Sequence, residues 1–232
     1  MKVAINEVLL SKSKIKTVND ATVFKNIDEI NSKKTFIFSS IRDCQKLSKN
    51  SSGIVRYFNI SVSSWLAYIK DEYVNFNGYF KQSCQLNESD IGNFCRSNSG
   101  NKVWSGQLIK DENDLKFVKQ QTQPDCLLYL ASPKEVSQEM RLWYINGKCA
   151  GYSKYSTFEK ISQNNYIFDI EEYIEYGNHC CKLFEPDDLF TIDICVCDNK
   201  LKVMEYNCFS TSGFYDVDVD GLVKEVKSYF DV

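Results

Sequence analysis

One run near the carboxyl end constrains the fold more than any other segment of this chain. Residues 190–207 contain two strand-like segments, which the polar pair Asp198-Asn199 separates as a hairpin turn would. Side chains alternate between the faces of a strand, so Glu205 and Asn207 point the same way, and the turn can bring Asp193 beside them. Carboxylate and amide oxygens, completed by waters and phosphates, suit Mg²⁺. The run therefore predicts a metal-binding hairpin that shares its ion with a nucleotide.

Composition and charge narrow the class of molecule. The chain has 232 residues, of which 43% are hydrophobic, enough for one large domain or two compact lobes. Its net charge is −3, with Lys and Arg scattered among acids, so neither nucleic acid nor an anionic membrane is expected as the main partner. No signal peptide and no membrane-spanning window is apparent, and we expect a cytoplasmic protein. Its ten cysteines are then expected to be reduced thiols.

Hydrophobic periodicity and turn residues predict mixed secondary structure. Asn146-Gly147 is the strongest short hairpin signal, and Asp111 is a plausible helix cap. The predicted strands, besides the hairpin above, are 3–10, 35–39, 54–58, 92–96, 103–106, 126–131, 139–145 and 148–155, and the predicted helices are 61–73, 111–120, 167–176 and 219–230.

Two further groups of polar residues carry candidate chemistry. The loop from Arg96 to Lys102 places two cations around a Gly and small hydroxyl residues, which lets backbone amides approach an anion, although such loops are more often plain turns. Glu139 and Arg141 alternate along a strand and share a face. Glu139 could contact a ribose or a metal, and Arg141 could contact a transferring phosphoryl group. A cross-strand ion pair explains the two residues equally well.

Taken in chain order, these residues resemble the ATP-grasp superfamily, and specifically its small phage and bacterial clade named for two arginines and a lysine. The resemblance covers roughly residues 76–230. It departs from the family at Ser97, where a Pro is often found, and the first 60 residues match nothing in it. The matching residues are Phe94 to Arg96, Lys102 to Gly106, Ser132-Pro133, Glu139 to Trp143, Gly147 to Tyr155, Phe184 to Pro186, Asp193, and Glu205 to Tyr215.

The resemblance implies an α+β fold in which two antiparallel α+β lobes clasp a nucleotide, with a small N-terminal α/β lobe. We expect the N-terminal lobe at residues 1–75, the lid lobe at 76–131 and the metal-binding lobe at 132–232. The implied contacts with ATP are Arg96 and Lys102 on phosphates, the backbone at Tyr129, Leu130 and Ala131 on adenine, Glu139 near the ribose, Arg141 and Lys102 as catalytic residues, and Asp193, Glu205 and Asn207 on Mg²⁺.

The resemblance also implies an activity. ATP-grasp ligases form an acyl-phosphate from a carboxylate and ATP, and an amine then displaces the phosphate; a peptide or protein is one candidate substrate. An alternative is an ATP-binding assembly factor like the cell-division-cycle relatives that help to build a translation-initiation complex. Their late strand resembles Asp-x-Asn-Pro, whereas this chain has Glu205 and Cys208. A third reading is a binding or structural protein whose carboxylates are merely solvated.

Overall fold

The structure is a computed structural model that describes residues 1–11, 13, 18–30, 33–50, 54–101, 104, 106–155 and 168–231. Short 3₁₀ turns join several of its elements. No helix in these residues combines the length and apolar character that crossing a membrane requires. In chain order the elements are β1 (Lys2–Asn6), α1 (Glu7–Ser11), β2 (Thr22–Phe24), β3 (Thr35–Phe38), α2 (Ile41–Asn50), α3 (Val62–Ile69), β4 (Tyr79–Gln82), β5 (Phe94–Ser97), β6 (Gln107–Leu108), α4 (Glu112–Gln121), β7 (Leu127–Ala131), β8 (Gln138–Ile145), β9 (Lys148–Tyr155), α5 (Ile170–Leu183), β10 (Leu189–Cys197), β11 (Lys200–Cys208) and α6 (Val219–Phe230).

The N-terminal sheet is parallel, with strand order β2-β1-β3. The predicted strand over residues 3–10 is right only in its first half. Asn6 ends β1, and its side-chain oxygen accepts a hydrogen bond from the Val8 amide at 2.9 Å, which caps a helix instead of continuing the strand. Helices α1 and α2 therefore leave the carboxyl ends of β1 and β3.

The predicted strand over residues 54–58 is wrong. Ile54 forms one isolated parallel bridge with Phe36, and the residues that follow are extended without strand pairing. Their backbone instead meets distant segments, since the Arg56 amide donates to the Ser210 hydroxyl at 2.8 Å. The predicted helix over 61–73 is shorter than expected, because α3 ends at Ile69 and a 3₁₀ turn follows.

The lid sheet, as we name strands β4-β7-β5-β6, is antiparallel. Helix α4 covers one face of it, and Asp111 caps this helix as predicted by accepting from the Asn113 and Asp114 amides at 2.8 and 3.0 Å. The predicted strand 126–131 is confirmed as β7. The predicted strand 103–106 falls largely outside the described residues.

The large sheet, as we name strands β11-β10-β8-β9, is antiparallel and built from two hairpins. Both turns were predicted and both are confirmed. Asn146 and Gly147 have φ of 49° and 70°, and Asp198 and Asn199 have φ of 52° and 55°. Positive φ at both central residues is what a two-residue type I′ turn requires, and Asn, Asp and Gly tolerate it best.

The two faces of the large sheet differ. Leu142 and Ile194 point to one face, where they pack with α5, and the predicted helix 167–176 is observed as this longer element, starting at Ile170. Trp143 points to the other face, where it packs with α6 and β3. By alternation, Arg141 and Asp193 lie on that second face, beyond the part that α6 covers. This end of the sheet positions the candidate site.

Candidate functional site

The predicted oxygen donors of the late hairpin come together in the structure. Asp193 lies directly opposite Glu205 in the register of β10 and β11. The Asn207 side-chain amide donates to the Asp193 carboxylate at 3.0 Å and to the Glu205 carboxylate at 3.1 Å. The strand register shifts between Asp193 and Ile194. The hydrogen bonds of Asn207 bring three side chains from two strands into contact.

Arg141 holds Asp193 from the neighbouring strand. Its Nε and Nη2 donate to the two Asp193 oxygens at 2.7 Å each, and the two side chains are only 5% and 3% exposed. Nη1 also donates to the Gly213 carbonyl at 3.3 Å, and the Tyr215 ring lies 5.3 Å from the guanidinium. Burial by itself lowers the pKa of Arg141, but the Asp193 charge outweighs it and raises the pKa. The cross-strand ion pair that the sequence left open is therefore present.

Arg96 makes the second arginine contact, and it joins two different sheets. Its guanidinium donates to Glu205 at 3.1 Å, and each side chain is 16% exposed. Burial lowers the pKa of Arg96, whereas Tyr73 and Glu205 raise it and prevail. Because Arg96 lies on β5 and Glu205 on β11, this pair ties the lid sheet to the large sheet.

The lid loop, residues 98–101, is held against the chain just before α3. The Gly100 amide donates to the Asn59 side chain at 2.8 Å, and the Tyr57 hydroxyl bonds the side chain of Asn101. A Cβ on Gly100 would lie 2.4 Å from the Ile60 carbonyl oxygen, so only glycine allows this close approach. Lys102, the predicted phosphate and catalytic lysine, lies outside the described residues.

The residues predicted to contact adenine lie on β7, and their contact with a base stays a prediction. Tyr129 pairs with both Phe80 and Arg96, and Leu130 likewise pairs with a residue on each neighbouring strand. Both side chains are buried, and the Tyr129 hydroxyl donates to the Asn75 carbonyl at 2.7 Å. Ala131, at the end of β7, leads into a segment without strand pairing, residues 132–137.

Glu139 lies on β8 two residues before Arg141 and is half-buried. It therefore shares the face of the site, as the sequence predicted. Its proposed position near a ribose stays a prediction.

A cavity of about 210 Å³ joins these groups to the N-terminal region. Arg96, Arg141, Glu205 and Asn207 line one part of it. Three of the other lining residues could not be found from the sequence, because they lie in ordinary apolar or extended segments that only the fold brings to one cavity. These three are Leu9, Ile41 and Tyr57.

Ser210, Ser212 and Tyr215 follow β11 and are candidates for contact with an acceptor, which stays a prediction. Ser210 accepts from the Arg56 amide at 2.8 Å, and the Ser212 hydroxyl lies 2.8 Å from Thr191 and 2.9 Å from the Cys208 carbonyl. Ser212 and Tyr215 both line the cavity.

The donor set fits a hard divalent cation. Glu205 and Asn207 line the cavity, and the buried Asp193 accepts a hydrogen bond from Asn207. Mg²⁺ favours such carboxylate and amide oxygens together with waters and phosphates. Among the described residues, no three His, Cys, Asp or Glu side chains cluster closely enough to hold a metal by themselves. The third donor is the amide of Asn207. Both acids already face an arginine, so an entering ion would share these carboxylates with Arg96 and Arg141.

Comparison with solved structures identifies the class of fold. D-alanine–D-alanine ligase from Bacillus anthracis complexed with ATP matches with a TM-score of 0.54 and 12% identity, over 90% of this chain and 86% of that chain. ATP-grasp ligase PsnB complexed with minimal precursor matches with a TM-score of 0.54 and 10% sequence identity, over 98% of each chain. A RimK domain ATP-grasp protein from Sphaerobacter thermophilus matches with a TM-score of 0.54 and 10% sequence identity, over 90% of this chain and 92% of that chain. The protein therefore has the ATP-grasp fold.

The family follows from the sequence itself. The model of the ATP-grasp domain, R2K clade family 3, matches residues 53–226, so the chain belongs to this family. Among proteins with curated descriptions, none matches. The match starts in the stretch that precedes α3, well before the residues on which the sequence resemblance was based.

Proposed function

We propose that this protein is an ATP- and Mg²⁺-dependent ligase that joins a carboxylate to an amine. One observation carries the proposal. In a chain of the ATP-grasp family, Asn207 is hydrogen-bonded to both Asp193 and Glu205, and Glu205 and Asn207 line a cavity together with Arg96 and Arg141. Such a mixture of oxygens and fixed cations suits a metal-bound polyphosphate.

The chain's own residues have distinct roles in this proposal. Asp193, Glu205 and Asn207 would hold the ion, whose chemistry is to neutralise charge on the phosphate oxygens. Arg96 comes from the lid sheet and meets Glu205 at the large sheet, so it can transfer its hydrogen bonds to a phosphate when Glu205 gains another cation. Arg141, held by Asp193 and Gly213, would keep a fixed positive charge beside the transferred group. Adenine would meet the chain that follows Ala131.

The reaction needs no nucleophile from the protein. A carboxylate oxygen attacks the γ-phosphorus, the bond from phosphorus to the β–γ bridging oxygen breaks, and ADP leaves. The amine then attacks the acyl carbon of the acyl-phosphate, phosphate leaves, and the nitrogen gives up a proton. Cys208, the thiol nearest the site, contacts the backbone of Phe58 through its sulfur and has a packing role. The docked lid loop would keep water from the acyl-phosphate.

A peptide or protein is a candidate substrate. The support is that PsnB, an ATP-grasp ligase of similar fold, is described in complex with a minimal precursor.

Thermal unfolding with and without Mg-ATP tests whether the protein binds Mg-ATP as proposed. A ligand selective for the folded state adds about 2.7 kcal/mol at 100 times its Kd, so the Tm of the wild type should rise. Asp193→Asn with Glu205→Gln should lose most of this rise, measured against the ligand-free Tm of the same variant. Glu225→Gln, on the exposed side of α6, is the matched control and should keep it. Equal rises in all three proteins would reject the metal role.

Release of ADP and phosphate tests the ligase part. Turnover that requires both a carboxylate and an amine supports the proposal. A tight Mg-ATP complex without such turnover, together with one protein partner, would favour the assembly-factor alternative.

A further inference from the structure

The cavity has a chemically mixed lining. It includes the charged side chains of Arg96, Arg141 and Glu205 as well as the apolar side chains of Leu9 and Ile41. Leu9 lies on α1 and Ile41 begins α2, so both stand just beyond the carboxyl ends of the parallel strands β1 and β3. Ligands of open parallel sheets bind at this edge.

Tyr215 also lines the cavity, and its backbone is strained. Its φ is 52°, in the left-handed region that bulky residues rarely adopt, and such strain is typical of functional sites. The Arg141 guanidinium lies 5.3 Å from the ring centre on one side. A Cβ on Gly213 would lie 3.3 Å from the ring, so the glycine permits this ring position. Tyr215 is thus fixed between the buried arginine and the open space of the cavity.

The described residues that line the cavity from the N-terminal region are uncharged. They include Leu9, Ile41 and Tyr57, which are aliphatic or phenolic. A second carboxylate or a phosphate on the acceptor would lose its hydration beside these residues without gaining a charged partner from them.

We propose that the acceptor of this ligase is a monocarboxylate carried on a compact aliphatic or aromatic group. The inference rests on the proposed function and specifies its substrate class. The reacting carboxylate would lie beside Arg141 and Asn207, where the γ-phosphate of ATP arrives. Its apolar group would extend past Tyr215 to Leu9 and Ile41, which exclude water from it.

A matched set of carboxylates tests the substrate class. The full chain is incubated with Mg-ATP, hydroxylamine as the amine, and 4-methylpentanoate, 3-phenylpropanoate or succinate, and ADP and hydroxamate are measured. We expect kcat/KM to be at least about tenfold higher for the two apolar acids than for succinate. Succinate that performs equally well overturns the inference, as does the absence of turnover with every acid while Mg-ATP still raises the Tm. Failure of Mg-ATP to raise the Tm would instead reject the proposed function.

A pair of variants tests whether the apolar group of the acceptor contacts Ile41. Ile41→Asp adds a charge inside the cavity, at the first residue of α2, where a helix accepts a carboxylate well. We expect a loss of about tenfold in kcat/KM for the apolar acids, mainly through KM, with the Mg-ATP shift in Tm retained. Val8→Asp places the same charge on α1 at an exposed side chain outside the cavity and should leave kcat/KM unchanged. Ile41→Leu keeps an apolar side chain and should retain the wild-type kcat/KM. Equal kcat/KM in Ile41→Asp and Val8→Asp would overturn the assignment.

Discussion

At the scale of single residues, the site is defined by how its charges are paired. The Arg141 and Asp193 side chains are almost fully buried and share two hydrogen bonds, while Arg96 and Glu205 are partly exposed and share one. A buried ion pair is costly to break because removal of one partner leaves the other charged and desolvated. Arg141 is therefore expected to depend on Asp193 for its position even when no ligand is bound.

Asp193→Asn tests this dependence. The substitution keeps the size of the side chain but leaves the buried guanidinium of Arg141 without its counter-charge, so the free energy of unfolding should fall by about 3–5 kcal/mol. Asp28→Asn is the control, because Asp28 pairs with Lys46 at 2.6 Å on the exposed surface. Its cost should stay below about 1 kcal/mol. Urea unfolding of the three proteins measures both values, and similar losses in the two variants would contradict the argument.

The sequence predicted one part of this arrangement and not the other. Strand alternation and the Asp198-Asn199 turn were enough to place Asp193, Glu205 and Asn207 together, since both rules act over a few residues. The contact between Arg96 and Glu205 joins positions 109 residues apart, and no local rule fixes that distance. It depends on how two sheets pack.

At the scale of elements, the lid loop is held in place by fit as much as by hydrogen bonds. Ser99 and Gly100 both donate to Asn59, and the Val62 amide donates to the Asn98 carbonyl at 2.9 Å. These contacts and the Arg96–Glu205 pair connect the lid sheet to its neighbours at two separate places. The lid loop and the lid sheet are thus both docked against neighbouring parts of the fold in this structure.

Gly100→Ala should undock the lid loop. The added methyl would lie 2.4 Å from the Ile60 carbonyl oxygen and 2.8 Å from its nitrogen, and backbone atoms cannot move aside as a side-chain tip can. We expect faster amide hydrogen exchange in residues 98–101 and 59–63, with the large sheet unchanged.

Gly221→Ala is its control. The nearest atom to the new methyl there belongs to the flexible Asp218 side chain, at 2.5 Å, and alanine favours the helix α6. Exchange at the lid loop should stay at the wild-type rate in this variant. An unchanged rate in Gly100→Ala as well would show that the loop is not held by its glycine.

The secondary-structure elements that could be predicted are those marked by residues within or next to the element itself. The two hairpins and the capped helix α4 carry turn and cap residues, and all were found. The error over residues 3–10 arose at Asn6, whose side chain can end a strand by capping the next helix. The error over residues 54–58 had a different origin, because that segment is extended but bonds to Ser210 and Phe36 instead of a strand partner. Its apolar alternation could not reveal which neighbour it would meet.

At the scale of the whole molecule, the cysteines are free thiols in this structure. Burial raises the pKa of Cys44, Cys95, Cys180 and Cys181 to about 12, from 9.0 when exposed. These thiols are therefore neutral and poorly reactive near pH 8.

Stability should consequently fall in alkali. Above pH 9 the thiols of the unfolded chain lose their protons while the buried ones keep theirs, so the unfolded state binds fewer protons and unfolding becomes more favourable as the pH rises toward 12. Each such thiol contributes about 1.4 kcal/mol per pH unit in that window. Urea unfolding at pH 8, 9.5 and 10.5 measures the slope. Cys95→Ala should reduce this slope, and a flat profile would contradict the assigned burial.

The pairing of two hairpins in one sheet has a consequence for the order in which the protein assembles. A tight turn closes a few residues and forms within microseconds, whereas β8 must meet β10 across a long intervening segment, at a larger entropic cost. Asp193, Glu205 and Asn207 come from one hairpin and Arg141 from the other. The acids should thus be neighbours early in folding, and they gain their buried arginine only at the late step that unites the sheet.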